Sequence, residues 1–160
     1  MAGKDTAAPG PSSPSTSAIT KYEVFLSFRG KGVGNHFASH LYEALYRQGI
    51  HTFKDNEDLG RGQLIPDKVR QAIVQSQIAI VLLSKSYFSS WRCLEELVTI
   101  INSSRSNQGQ IIVVPVFYGI DPSHIRRQRG SLAAAFEEHE ARCSVDTVRR
   151  WREASAKIAD

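Results

Sequence analysis

The chain is poor in the features that mark several protein classes. It has two cysteines, Cys93 and Cys143, far apart and without histidines at metal-ligand spacing. Two such residues make neither a disulfide framework nor a zinc pattern, and they point to a reducing compartment. No apolar run approaches the ~20 residues that span a bilayer. The N-terminus lacks the apolar centre of a signal peptide. A cytoplasmic or nucleocytoplasmic residence follows, with no membrane and no metal expected. Charge of one sign is also scarce. The net charge is +4, part of it in His124-Ile-Arg-Arg-Gln-Arg129, which reads as a solvated or anion-facing loop. The base-reading and stacking groups of a nucleic-acid module are missing, so no nucleic-acid partner is expected.

What is present is an ordinary globular composition with a tail. Of 160 residues, 41% are hydrophobic and 22% charged, which suits one domain. Residues 1–20 are Ala, Pro, Ser, Thr and Gly with almost no large apolar side chain. Burial cannot offset the ordering entropy of such a segment, so it is expected to be disordered. Residues 21–160 then form the domain.

Within the domain, apolar runs alternate with helix-like segments. Tyr22–Phe28, Ile50–Lys54, Gln77–Leu83 and Ile111–Phe117 read as strands. Phe37, Leu41 and Leu45 recur every four residues, which predicts a helix over 35–48, closed by Gly49. Ile65, Val69, Ala72 and Ile73 share a face of a helix opened by Pro66. Leu94, Leu97, Val98 and Ile101 stripe another, capped by Ser89 or Ser90. Asp121-Pro-Ser reads as a turn, followed by helices over Ser131–Arg142 and about Val145–Ala159. After Gln77 the run to Leu83 is apolar throughout, as in a strand buried on both faces. Pro115 removes a ladder donor and belongs on an edge or irregular strand. The alternation gives an α/β fold: a flavodoxin-like, doubly wound parallel sheet of four to five strands with helices on both faces. Ligands in such sheets lie beyond the carboxyl ends of the strands, here 27–34, 55–62, 84–91 and 118–123.

Known motifs fit those strand ends poorly. Gly30-Lys-Gly-Val-Gly34 approaches G-x-G-x-x-G, but position 35 is Asn, and Asp55 is a loose candidate for a ribose ligand. G-x-x-x-x-G-K-[ST] is absent. Phospho-acceptor chemistry would need an Asp where the third strand ends in Leu83-Ser-Lys-Ser86. Cys93 reads as a small buried cysteine, since no histidine is placed as its base. Glu95 and Glu96 lie off the apolar stripe near a helix start, where carboxylates complement the macrodipole. Periodicity does not choose between them.

The order of longer motifs is more specific. Tyr22-Glu-Val-Phe-Leu-Ser-Phe-Arg-Gly30, Phe37-Ala-Ser-His-Leu-Tyr-Glu-Ala-Leu45 and Gly49-Ile-His-Thr-Phe53 are followed by Leu59-Gly-Arg-Gly62, Ile65-Pro66, Ala72-Ile73 and Ala79-Ile-Val-Leu-Leu-Ser84. Cys93-Leu-Glu-Glu-Leu97, Val114-Pro-Val-Phe-Tyr118, Asp121-Pro-Ser123, Phe136-Glu-Glu-His139 and Trp151-Arg152 come next. Together they resemble a plant-type Toll/interleukin-1 receptor (TIR) domain over residues 22 to 159.

That resemblance implies an NAD⁺ glycohydrolase of innate immune and cell-death signalling, acting after self-association. Its products would be nicotinamide and ADP-ribose or a cyclic variant, read by downstream signalling proteins. NADP⁺ is a second possible substrate, and no cofactor is implied. Glu96 takes the place of the family's catalytic glutamate, with Glu95 at the variable position. Ser27, Phe28, Arg29, Gly30, Lys31, Gly32, Gly62 and Trp91 are implied around the substrate: Arg29 for a phosphate, Phe28 and Trp91 as stacking surfaces. Residues 55–64 correspond to the family's BB loop, a lid and self-association element. Ser39 and His40 match a Ser-His packing motif, and Gly130 lies near a second interface. The chain departs from the family at Lys31-Gly-Val-Gly34, where Glu-Asp-Thr-Arg is usual, and at Trp91-Arg92-Cys93, where Trp and Cys are usually adjacent. The alternative is a catalytically silent adaptor that works only through TIR–TIR contacts.

Overall fold

Val24–Ser27 is short, apolar and completely buried, and it forms β1 at the centre of the molecule. The structure, a computed structural model, describes residues 22–30, 34–55, 65–105 and 111–160. The remaining elements are α1 (Gly34–Arg47), β2 (Thr52–Lys54), α2 (Asp67–Gln75), β3 (Ile78–Leu83), a 3-10 helix (Lys85–Ser89), α3 (Trp91–Arg105), β4 (Ile112–Phe117), α4 (Pro122–Arg127), α5 (Ser131–Arg142) and α6 (Val145–Ile158). The tail, residues 31–33 and most of the 55–64 loop lie outside the described residues.

The four strands form one parallel sheet in the order β2-β1-β3-β4. Val24 pairs with Thr52 on one side and Ile78 on the other, and Ile78 pairs with Ile112. The chain leaves β1 first toward β2 and later toward β3, so the topological switch point lies between β1 and β3. A crevice beyond their carboxyl ends is the place for a site in such a sheet.

Alternate residues of each strand feed two cores. Phe25, Phe53, Ala79, Val81 and Leu83 join the larger one with the apolar faces of α2, α3, α5 and α6. Ile65, Val69, Ala72 and Ile73 lie in it, as do Leu94, Leu97, Val98 and Ile101, so both expected stripes are observed. Leu26, Phe28 and Leu82 point the other way and meet Ala38, Leu41 and Tyr42 of α1. Helices cover both faces, unequally. Among the described residues α1 is the one helix filling the smaller core, and Ile112 (61% exposed) and Val114 (38%) stay bare. The same one-sided packing corrects the expected stripe of α1. Ala38 is its fully buried residue, while Phe37 is 40% exposed and leans its ring on Tyr118 at 5.7 Å.

Local signals act as their chemistry requires. Gly49 takes φ 77°, a left-handed value that suits glycine. Its N–H donates to Tyr46 O at 2.9 Å and Ile50 N donates to Leu45 O at 3.0 Å, closing α1. Pro115 lies on β4, the strand at one edge of the described sheet. Asp121 does more than turn the chain: its carboxylate accepts from Ser123 N at 2.8 Å and opens α4 with Pro122 in the first turn. No helix among the described residues is long and apolar enough to cross a membrane.

The unequal faces set a stability contrast. Leu97→Ala, in the larger core, is expected to cost about 2–5 kcal/mol, and Ile112→Ala within about 0.5 kcal/mol. Urea unfolding midpoints of the two variants check this; equal losses would contradict the placement of the core.

Candidate active site

Three strand ends and one helix converge on the carboxyl group of Glu96. β1 contributes Ser27, whose Oγ donates to Glu96 Oε1 at 2.8 Å. The 3-10 helix after β3 contributes Tyr87, whose hydroxyl lies 2.9 Å from Ser27 Oγ and donates to the Cys93 carbonyl at 3.1 Å. Just past β2 stands Asp55, whose side chain hydrogen-bonds Glu96. α3 carries Glu96 itself and, one turn earlier, Arg92. Arg92 Nε donates to Asp55 Oδ2 at 3.0 Å and Nη2 to Asp55 Oδ1 at 2.9 Å, a two-pronged fork. Ser27, Asp55, Arg92 and Glu96 are all buried, with Glu96 at 2% exposure.

The helix is aimed by its start. Ser90 accepts from Cys93 N at 3.2 Å through its hydroxyl, as an N-cap does. Trp91–Leu94 then makes the first turn, and both glutamates fall in the second. This corrects the expectation of two surface carboxylates complementing the helix dipole. One residue on an α-helix is a rotation of about 100°, and it separates the two acids. Glu95 turns to α6, where its Oε2 accepts from Trp151 Nε1 at 2.8 Å and faces Arg150 at 3.9 Å. Glu96 turns inward to the switch point.

Burial raises the pKa of Glu96 well above its ordinary value of 4.5, since a charged carboxylate loses its hydration there. The hydrogen bond and negative charge of Asp55 push the same way. The Ser27 hydrogen bond and the Arg92 charge oppose it. The proton is thus held on Glu96 beyond the usual carboxylate range, as in groups tuned for chemistry.

The other sequence-derived positions divide. Arg29 and Gly30 are half-buried just past β1, beside the switch point. Phe28 is buried in the smaller core with Leu26, Ala38 and Leu82, so its ring is packed on that face. Trp91 is half-buried against the larger core. The structure therefore does not bring the two rings together as one stacking platform. Lys31, Gly32 and Gly62 lie outside the described residues. Ser39 and His40 are exposed on α1, and Gly130 is exposed with φ 62° ahead of α5. Cys93 is buried, its Sγ 3.6 Å from the carbonyl oxygen of Phe28. Sequence reasoning missed the Asp55–Arg92 pair. The available signals were an acid at a strand end and an arginine four residues before Glu96, which places both on one helix face.

A family model described as TIR domain matches residues 21–160. The chain is 46% identical over 151 residues to TMV resistance protein N of Nicotiana glutinosa, covering 92% of this chain and 13% of that protein. It is 42% identical over 149 residues to Disease resistance protein RPV1 of Vitis rotundifolia, covering 93% of this chain and 10% of that protein. The chain thus spans about a tenth of the length of these relatives. Among solved structures it resembles the TIR domains of the activated Roq1 resistosome that recognises the pathogen effector XopQ. That match has a TM-score of 0.76 and 46% identity, over 87% of this chain and 84% of that one.

The raised Glu96 fixes the sign of one pH effect. Above 4.5 the folded chain keeps a proton that the unfolded chain releases, so this group's contribution falls as pH rises through the folded value. Glu96→Gln removes the titration. The stability of the variant relative to the native chain is expected to rise across the window above pH 4.5, read from urea midpoints. A pH-independent difference would show that Glu96 does not titrate in this window.

Proposed function

We propose that this chain, which belongs to the TIR domain family, hydrolyses NAD⁺ at the nicotinamide–ribose bond. The observation that carries the reading is one glutamate, Glu96, buried at the switch point and held by Ser27 at 2.8 Å. Ordinary glycosidases need a carboxylic acid to protonate the leaving group and a second carboxylate on the other side. Nicotinamide leaves a positively charged pyridinium: the C1′–N bond breaks, its electron pair stays on the ring nitrogen, and neutral nicotinamide departs without a proton. One carboxylate therefore suffices. Glu96 as an anion favours the positive charge growing on the ribose. Water then adds at C1′ and releases a proton, giving ADP-ribose; capture by an adenine nitrogen gives a cyclic product instead.

The supporting groups fit this division of labour. Ser27 orients the carboxyl. Arg29 and Gly30 lie just past β1, where a phosphate would be bound; Lys31, Gly32, Gly62 and Trp91 complete the proposed surroundings. NADP⁺ differs only at the adenosine ribose and is a second substrate candidate. Ser39 and His40 on the exposed side of α1, and Gly130 before α5, are the proposed contacts for self-association. The resistosome that contains the Roq1 TIR domains supports an assembled state. Plant disease-resistance relatives support a role in innate immune signalling, and we place that role in the cytoplasm.

The expected outcome is nicotinamide release from NAD⁺ at high protein concentration, reduced about 100-fold or more by Glu96→Ala. Glu95→Ala loses the Trp151 hydrogen bond, about 1 kcal/mol of stability, and keeps its turnover. Chromatography of the products distinguishes the outcomes. Full turnover in Glu96→Ala overturns the site. No NAD⁺ loss in any concentrated or assembled state leaves an adaptor that acts through TIR–TIR contact alone.

A further inference from the structure

Glu96 and Ser27 account for the reaction as proposed, yet the same pocket buries an ion pair that the reaction does not use. Arg92 and Asp55 have side chains 6% exposed each, and their fork joins the end of β2 to the first turn of α3. Burying such a pair has a desolvation cost, and its two-pronged geometry and low exposure fit a group held in one orientation. Asp55 has two neighbours there: the guanidinium of Arg92 on one side and the Glu96 carboxyl on the other. Two carboxyl groups within hydrogen-bonding reach must share a proton or repel.

We propose that Asp55 and Arg92 are positioning residues for Glu96: Arg92 fixes Asp55 by its fork, and Asp55 engages the Glu96 carboxyl opposite the restraint supplied by Ser27. With Arg92 charged, the neutral arrangement of the buried trio is Asp55 as the carboxylate and Glu96 as the proton holder. The site therefore rests with Glu96 protonated, and Glu96 becomes an anion, its proton passing to water, when positive charge arrives beside it. A pyridinium ring brings that charge. Substrate and charge state are thus coupled through two residues that need not touch the substrate. The other groups facing Glu96 are the hydroxyls of Ser27 and, through it, Tyr87; the Cys93 thiol points to Phe28 O and Glu95 to Trp151.

The role in turnover rests on the NAD⁺ reading, but the positioning itself can be measured without substrate. In the whole chain labelled with carbon-13, the side-chain carboxyl resonance of Glu96 reports its titration, and that of Asp55 reports its response to Glu96. Asp55→Asn leaves Arg92 facing Glu96 and removes the competing acid, so the Glu96 midpoint is expected to fall by about one pH unit or more. Arg92→Gln removes the attracting charge, so the midpoint is expected to rise. A merely structural pair would not move it in opposite directions. In the native chain the Asp55 carbon is expected to shift at the Glu96 midpoint, which serves if a variant does not fold. Where NAD⁺ is cleaved, the acid limb of the kcat/KM profile should move with the Glu96 midpoint in both variants. Unchanged Glu96 midpoints, or an Asp55 signal blind to Glu96, overturn the proposal. Opposite shifts without NAD⁺ cleavage would uphold the positioning and sink the reaction.

Discussion

A carboxyl group carried into a protein interior must find there the hydrogen bonds it gives up in water. Glu96 finds them on two elements besides its own, with a third behind them. β1 supplies the Ser27 hydroxyl and the end of β2 supplies Asp55; the 3-10 helix after β3 supplies Tyr87, which backs Ser27. The requirement ties the carboxyl ends of three neighbouring strands to one helix. Those ends are brought together only by a sheet ordered β2-β1-β3, with the switch point in the middle. Loss of one partner of a buried charged pair generally costs about 3–5 kcal/mol, so the cluster constrains the fold as well as serving it. Among the described residues no buried side-chain oxygen or nitrogen of the cluster is left without a partner.

The position of Glu96 depends on what holds α3, and there Glu95 enters. Its hydrogen bond to Trp151 fastens α3 to α6 on the side away from the sheet. Trp151 is itself buried, edge-on to His139, whose Nε2 lies 2.9 Å from the carbonyl oxygen of Phe88 in the 3-10 helix. The outer acid thus ties α3 to α6 while the inner one faces the sheet. Two adjacent glutamates of identical chemistry acquire different tasks from a single step of helical rotation.

Much of this was legible in the residues because its causes are local. The apolar run from Ile78 to Leu83 pointed to a strand covered on both sides. Gly49 marked the end of a helix, and Pro115 marked an edge. The stripe Leu94, Leu97, Val98 and Ile101 placed α3 on the core. What was not legible is the chemistry that crosses the chain. Asp55 and Arg92 are 37 residues apart, and no periodic pattern joins them. Arg92 stood out only as the residue separating Trp91 from Cys93, and its carboxylate partner appears once β2 and α3 are side by side. Phe37 misled for the opposite reason: its spacing fits a buried stripe, but the face it belongs to carries too little to cover it.

The same inequality of faces bears on how the proposed reaction is arranged. The larger core fixes β1, β3 and α3, and with them Ser27, Tyr87, Arg92 and Glu96. Proton-holding groups therefore stand on the more heavily packed side, where a displacement of about 1 Å would break their hydrogen bonds. Arg29 and Gly30 follow β1 on its way to α1, the helix over the smaller core. The residues proposed for the phosphate thus border the more lightly packed side. A dinucleotide is long and must be admitted, whereas the bond to be broken is a single point. A site that keeps its carboxyl in the densest packing and its phosphate contacts at the margin separates those two demands, and the order of strands in this sheet is what makes the separation available.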